Sequence, residues 1–271
     1  MAVTRERRNA RNENVDDRMV AMSASRSEDY SNSFGKVRAG VRNSRNVALI
    51  DFLKSLRPNY TIVYRDVAIG YIAIAVTVLV AITAEQGGVP FLVVTPITGL
   101  LIGFWIAYLQ LFIHEGAHWN LAEDRDASDR LCNRLISWWA GLEVSRYRRV
   151  HFQHHRALGT TQDSEISYFF PLNLIFFVKG LLGIRAIEVF LAREALAKPA
   201  ATEAATGAKN PPRIVPSLHK EMVVGALFHL VCIVSLLYFG YWAVAAGWAL
   251  GVGGVFPLFG ALRQLLEHRS E

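Results

Sequence analysis

Four apolar runs, each close to the length needed to cross a bilayer, constrain this chain more than any other feature. They fall at about residues 67–84, 89–113, 222–240 and 243–265. A helix rises about 1.5 Å per residue, so roughly 20 apolar residues cover the hydrocarbon core. Backbone polar groups in lipid must be satisfied within their own segment, which makes each run a helix. The connector between the first two runs holds only Glu85, Gln86 and glycines, and that between the last two is nearly absent. The expectation is an all-α membrane protein whose four transmembrane helices form two hairpins. The 52% hydrophobic content fits this because the apolar residues are clustered rather than dispersed. A fifth run, "YFFPLNLIFFVKGLLGI" at 168–184, is shorter, contains Pro171 and carries Lys179, so it is placed at the membrane interface. "LISWWAGL" at 135–142 is also assigned there, on its paired Trp138 and Trp139.

Lys and Arg orient the spans. The two tight connectors have none, whereas the N-terminal segment, residues 114–221 and the end of the chain hold the basic residues outside the runs. Those three regions, and with them both termini, are expected in the cytoplasm, where the long segment forms a helical cap. The same bias accounts for the net charge of +6 without a nucleic-acid partner. Residues 1–45 read as a disordered, polar, basic tail with no apolar core of a secretory signal. Residues 46–271 read as the membrane domain, with an Ala/Pro-rich loop at 199–216. Cys132 and Cys232 lie far apart and no C-x-x-C occurs, which argues against a disulfide framework or a zinc ribbon.

The chemistry is carried by histidines. "HEGAH" at 114–118 places His114 and His118 one helical turn apart at the end of the second span. "HFQHH" at 151–155 places His151, His154 and His155 at i, i+3 and i+4, expected on one face. His268 stands just past the fourth span. With the fifth run at the interface, all six share one side of the membrane. Imidazole suits iron, copper, zinc and nickel alike. Five such ligands within 42 residues are too many for one four-coordinate zinc and suit two metals. Taken alone, His114-Glu115-x-x-His118 also matches the zinc-protease helix, with Glu115 as general base and Glu143 as a distant ligand. That reading leaves "HFQHH" unexplained, and a chance H-x-x-H-H is expected in only about one such chain per hundred. In the competing reading Glu115 holds an imidazole in orientation or is a solvated helix-end carboxylate.

"HEGAH" followed by "YRRVHFQHHRALGTTQDSE", at the mouth of two helical hairpins, resembles the membrane fatty acid desaturase family, part of the wider group of membrane di-iron desaturases and hydroxylases. The resemblance covers roughly residues 46–271. It implies O2-dependent removal of two hydrogens from an acyl chain at two non-haem irons. By position it implies His114 and His118 as first-box ligands, His151, His154 and His155 as second-box ligands, and His268 as a further ligand. Gln264, one turn earlier, would reach the metals through water. The substrate would be a membrane lipid or acyl thioester. Electrons would come from an external ferredoxin or cytochrome b5 with its reductase, since no H-P-G-G of a fused cytochrome occurs. The family has a third H-x-x-H-H box after the fourth span. The sequence ends three residues past His268, so the expectation is a chain incomplete at that end. The alternatives are a hydroxylase or ketolase on the same scaffold, a catalytically incomplete remnant, and the membrane zinc protease.

Other polar residues receive simpler expectations. His229, in the middle of the third span, is assigned to interhelical hydrogen bonding. His219 is placed at the interface. Asp163 and Glu165 are assigned equally to a solvated loop or to contact with the metals or a reductase. Arg146, Arg148 and Arg149 are assigned to the positive-inside bias, with lipid phosphate or an acyl carrier as the alternative.

Overall fold

The protein is described by a computed structural model covering residues 40–56, 58–157, 172–184, 187–188 and 220–268. The expected tail lies mostly outside the described residues, as do Asp163, Glu165, the 199–216 loop and His219. The described residues form two compact units. In the smaller, helix α1 (Leu49–Ser55) follows a turn closed by a bridge between Arg42 and Ala48.

The larger unit is helical, with no strand among its described residues. Four helices are long and apolar enough to span a membrane, and this is a multi-pass membrane protein. They are α2 (Tyr60–Gln86), α3 (Phe91–Ala117), α7 (Lys220–Tyr238) and a fourth span beginning with α8 (Trp242–Leu250). That span continues through a π-helical turn, π2 (Gly251–Val255), into α9 (Phe256–His268). Between the hairpins lie α4 (Arg125–Cys132), the π-helical turn π1 (Asn133–Ser137), α5 (Val144–Ala157) and α6 (Leu174–Leu181). Helix α2 starts seven residues before its apolar run. Asn59 caps its first turn by accepting from the Ile62 N–H at 3.3 Å, and the charges this brings into the helix, Arg65 and Asp66, pair at 2.7 Å.

Helix α3 is the axis of the unit, flanked by α2, α8, π2, α9 and α4. It buries Ile102, Ile106, Leu109 and Ile113, spaced four, three and four residues apart, while side chains such as Leu79, Leu92 and Val231 on the spans stay exposed. An apolar outer face is what a lipid-facing bundle presents. The α3–α8 crossing is set by glycines four apart on both sides, Gly99 and Gly103 against Gly247 and Gly251. A Cβ on Gly103 would lie 2.5 Å from Val255 Cβ and 2.9 Å from the Gly251 carbonyl oxygen. Sequence reading by hydropathy does not reveal this, because glycine adds nothing to an apolar run, yet small residues at this spacing are what let membrane helices approach closely.

Polar contacts tie the two hairpins to each other and the first hairpin to the cap. At the connector end, Glu85 accepts from the N–H groups of Ala243 (2.9 Å) and Val244 (3.2 Å), capping the fourth span from the first. Gln86 donates to the Tyr241 hydroxyl at 3.0 Å. Within the bundle, Trp248 Nε1 donates to His229 Nδ1 at 3.3 Å, the interhelical bond expected of that histidine. Trp139 corrects the interfacial assignment. It is 4% exposed, donates to the Tyr71 hydroxyl at 2.8 Å and belongs to the core, while Trp138 stays exposed. Its indole is buried because Tyr71 and the Leu135 carbonyl satisfy its N–H. Helix α6 is too short to span, and rests Phe176 and Gly180 on Leu258 while Leu174, Ile175 and Leu182 face outward. The described part of the fifth run is thus a short helix packed on the fourth span.

The glycine crossing makes a sharp prediction. Gly103→Leu should destabilise the detergent-solubilised protein by at least about 1–3 kcal/mol through overpacking. Gly260→Ala, where a Cβ meets nothing within 4 Å, should be neutral or stabilise by about 0.5–1 kcal/mol, both read by thermal melts.

Candidate metal centre

The first two histidines stand where α3 ends. Small residues precede the last of them: a Cβ on Gly116 would lie 2.5 Å from Cys132 Sγ, so only glycine lets α4 pack here. The helix closes with the Trp119 N–H on the Gly116 carbonyl (3.1 Å) and the Asn120 N–H on the Glu115 carbonyl (2.9 Å). That bond pattern is a Schellman ending, whose left-handed position usually belongs to glycine. Here it is Trp119, at φ 59°. The left-handed conformation costs a side-chain-bearing residue on the order of 1–2 kcal/mol.

The remaining three come from α5, whose start is fixed by a carboxylate. Glu143 accepts from the Ser145 N–H (3.1 Å), the Ser145 hydroxyl (2.6 Å) and the Arg146 N–H (2.9 Å), with Asn133 Nδ2 at 3.4 Å. Burial alone would raise its pKa, but these donors outweigh burial and hold the carboxyl below its ordinary value. Glu143 is therefore a helix cap rather than a distant metal ligand, which removes a component of the zinc-protease reading.

From these two helices four imidazoles converge. His114, His118, His151 and His155 each offer a nitrogen, and all four nitrogens lie within 4.8 Å of one another. The Nε2 atoms of His118 and His151 are 3.0 Å apart, and those of His151 and His155 are 2.9 Å apart. Burial, then the neighbouring imidazoles, push His118 below its ordinary value and His151 down to about 3. Both are neutral at physiological pH, the state in which imidazole has a lone pair for a metal. Two nitrogens on one ion at about 2.1 Å stand at most about 4.2 Å apart, so small side-chain shifts would close this group on an ion. His151 Nδ1 is buried with no hydrogen-bond partner among the described residues. A donor set of four imidazole nitrogens at this separation fits a metal.

His154 is placed differently. It is fully buried, with its ring 6.3 Å from that of His151 and 5.7 Å from that of His155, and it is not in the convergent group. Helix phase explains this: position 155 stands about 40° to one side of 151 and position 154 about 60° to the other, so the three do not share a single line. Tyr147, one turn before His151, fills that line instead and stacks on the His151 ring at 5.4 Å and 10°. His268 is the last residue of α9, but its side chain and that of Gln264 lie outside the described residues.

Glu115 does not face the convergent nitrogens as a free base. One carboxylate oxygen lies 3.2 Å from His114 Nδ1 and the other accepts from Asn120 Nδ2 at 2.8 Å. Holding the proton on Nδ1 of His114 leaves Nε2 as its lone-pair nitrogen, the usual arrangement behind a metal-bound histidine.

Arg148 was assigned to the positive-inside bias, and the structure corrects that. It is 9% exposed and reaches from α5 to the end of α3, where Nε donates to the Ala117 carbonyl (2.7 Å) and Nη2 to the Gly116 carbonyl (2.9 Å). Asp129 on α4 accepts from both terminal nitrogens, Nη1 at 3.0 Å. The guanidinium lies 3.9 Å over the Trp119 ring. The available signal was its spacing, three residues before His151 on the same helix. Asp129 and Trp119 were missed with it, as contacts that no spacing rule links, and so was Tyr147, although it stands one turn before His151.

A family model described as "Fatty acid desaturase" matches residues 90–270, from the start of α3 past the end of α9. The chain belongs to the fatty acid desaturase family. No curated protein and no solved structure matches it. The matched region holds all the site residues above, whereas the first span lies before it.

Glu143→Ala should cost about 1 kcal/mol of stability at neutral pH, as loss of a cap does. Because the folded carboxyl titrates below its unfolded value, the contribution is whole at neutral pH and is lost as the pH falls below the carboxylate range. Thermal melts of the two proteins should therefore converge in acid.

Proposed function

We propose that this chain desaturates fatty acyl chains at a non-haem di-iron centre, with O2 as co-substrate. The observation that carries the reading is the convergence of His114, His118, His151 and His155 at one end of a four-span bundle, in a chain of this family. These four would hold one iron. His154 and His268 would serve the second, with Gln264 contributing through water. Iron bound there would activate O2 and supply an oxidant strong enough for an unactivated C–H bond, which acid–base side chains cannot attack. The balance is two hydrogens from adjacent carbons, two electrons from a donor and two protons, with O2 leaving as two waters.

The chain's own residues do the rest. Neutral His118 and His151 present lone pairs, and Glu115 holds the His114 ring by its far nitrogen. The closely packed α3–α8 core excludes water behind the site. The apolar outer faces of the spans and of α6 put lipid beside it, so an acyl tail would approach from the membrane while its head stays at the surface. The Lys and Arg bias supports a site on the cytoplasmic side, where ferredoxin or cytochrome b5 would deliver electrons. Both Glu115 oxygens are engaged and Glu143 caps a helix, which leaves the zinc-protease alternative without its base and its distant ligand.

Two experiments test this. Protein purified from iron-replete cells should contain iron by elemental analysis. With O2, a donor and acyl substrates it should yield products lighter by two hydrogens in mass spectrometry; a product heavier by one oxygen would make it a hydroxylase, and zinc without iron would end the reading. In Co2+ titrations followed by visible absorption, His118→Ala and His151→Ala should weaken binding at least tenfold. His154→Ala should leave the site formed by the other four histidines filled and remove any second equivalent.

A further inference from the structure

The four convergent imidazoles come from two helices whose mutual placement must be held by something other than the metal. One side chain bridges them directly. Arg148 is carried by α5, three residues before His151, and it grips the end of α3 at the carbonyls of Gly116 and Ala117, two residues and one residue before His118. Those carbonyls belong to the last turn of the helix: that of Gly116 already accepts from the Trp119 N–H at 3.1 Å, and Arg148 adds a charged donor to it and to that of Ala117. Asp129, on α4, holds the guanidinium from the other side with both oxygens. Trp119 covers its face at 3.9 Å, and Arg125 lies over the same indole at 4.6 Å. One planar group thus meets three segments at once, using the fork geometry that lysine lacks.

The same contact bears on backbone shape. Trp119 stands in the left-handed position that ends α3, where the chain would favour glycine. The indole is the surface on which the guanidinium rests, so the residue that makes the turn unfavourable also completes the grip. His118 is the C-cap residue of this turn, and its Nε2 is 3.0 Å from that of His151.

We propose that Arg148 is a positioning residue for the metal centre: by clamping the Gly116 and Ala117 carbonyls against Asp129 and Trp119, it sets the distance and angle between the histidines of α3 and those of α5. The inference rests on the reading of the four histidines as a metal site and extends it to a residue that touches no metal.

The test is Co2+ binding to the full chain in detergent, followed by visible absorption, for the wild type, R148A, R148K and H151A. Wild-type binding that H151A weakens at least tenfold establishes the metal site independently of Arg148. R148A should then bind Co2+ ten- to a hundredfold more weakly and with altered absorption bands, at unchanged helical content and elution volume, and added ethylguanidinium should restore both. R148K keeps the charge but not the fork, so it should show a loss of at least tenfold; it decides the matter if R148A does not fold. Wild-type affinity in R148A, or in R148K where that variant decides, overturns the proposal while the metal site stands. A weakened R148A that has lost helical content and does not respond to ethylguanidinium reduces the residue to a structural brace and also overturns it. A wild type that binds no Co2+ overturns both readings together.

Discussion

The site depends first on how closely the second and fourth spans can approach. Lipid tails are as apolar as leucine, so burial of apolar surface does not drive these helices together as it would in water. Close contact must instead come from shape. Gly99, Gly103, Gly247 and Gly251 provide it by removing the side chains that would separate the backbones. Ile102, Ile106, Leu109 and Ile113 then have a surface to close against, and the far end of α3 carries His114 and His118 from a rigid axis. A metal site built on such an axis is better defined than one built on loops.

The cap repeats the principle with polar contacts. Gly116 admits Cys132, Asn133 and Glu143 pin the start of α5, and the Trp139 indole reaches Tyr71 on the first span. Each is a short-range solution to one unsatisfied group or one steric limit. Their sum places two histidine-bearing helices side by side, although residues 114 and 151 are far apart along the chain.

Much of this was legible in the sequence. Hydropathy located all four spans, since lipid leaves a helix few alternatives, and the 114/118 spacing placed two imidazoles on one face. His229 was read correctly as an interhelical hydrogen-bonding group. Hydropathy missed what depends on neighbours. It could not distinguish Gly103, which faces a backbone, from Gly260, which faces nothing. The positive-inside bias accounted for Arg148 on its own, so its spacing from His151 was not taken as a sign of a buried role. The two tryptophans at 138 and 139 looked alike, and only the position of Tyr71 separates them. The 151/154/155 spacing was compatible with one face, yet about 100° of helix separates 154 from 155.

The π-helical turn at Gly251–Val255 changes how the end of this chain should be compared with others. Such a turn accommodates one extra residue, and each residue carries the helix round by about 100°. Everything from Phe256 onward is therefore out of phase with α8, and a face traced by counting in threes and fours from Trp248 leads to the wrong residues. A relative lacking that extra residue would present a different side of its fourth span to the histidines, even with an identical sequence afterwards. Alignment of this segment by position alone would conceal the rotation; a single inserted or deleted residue here amounts to about a quarter-turn of the wall beside the histidines.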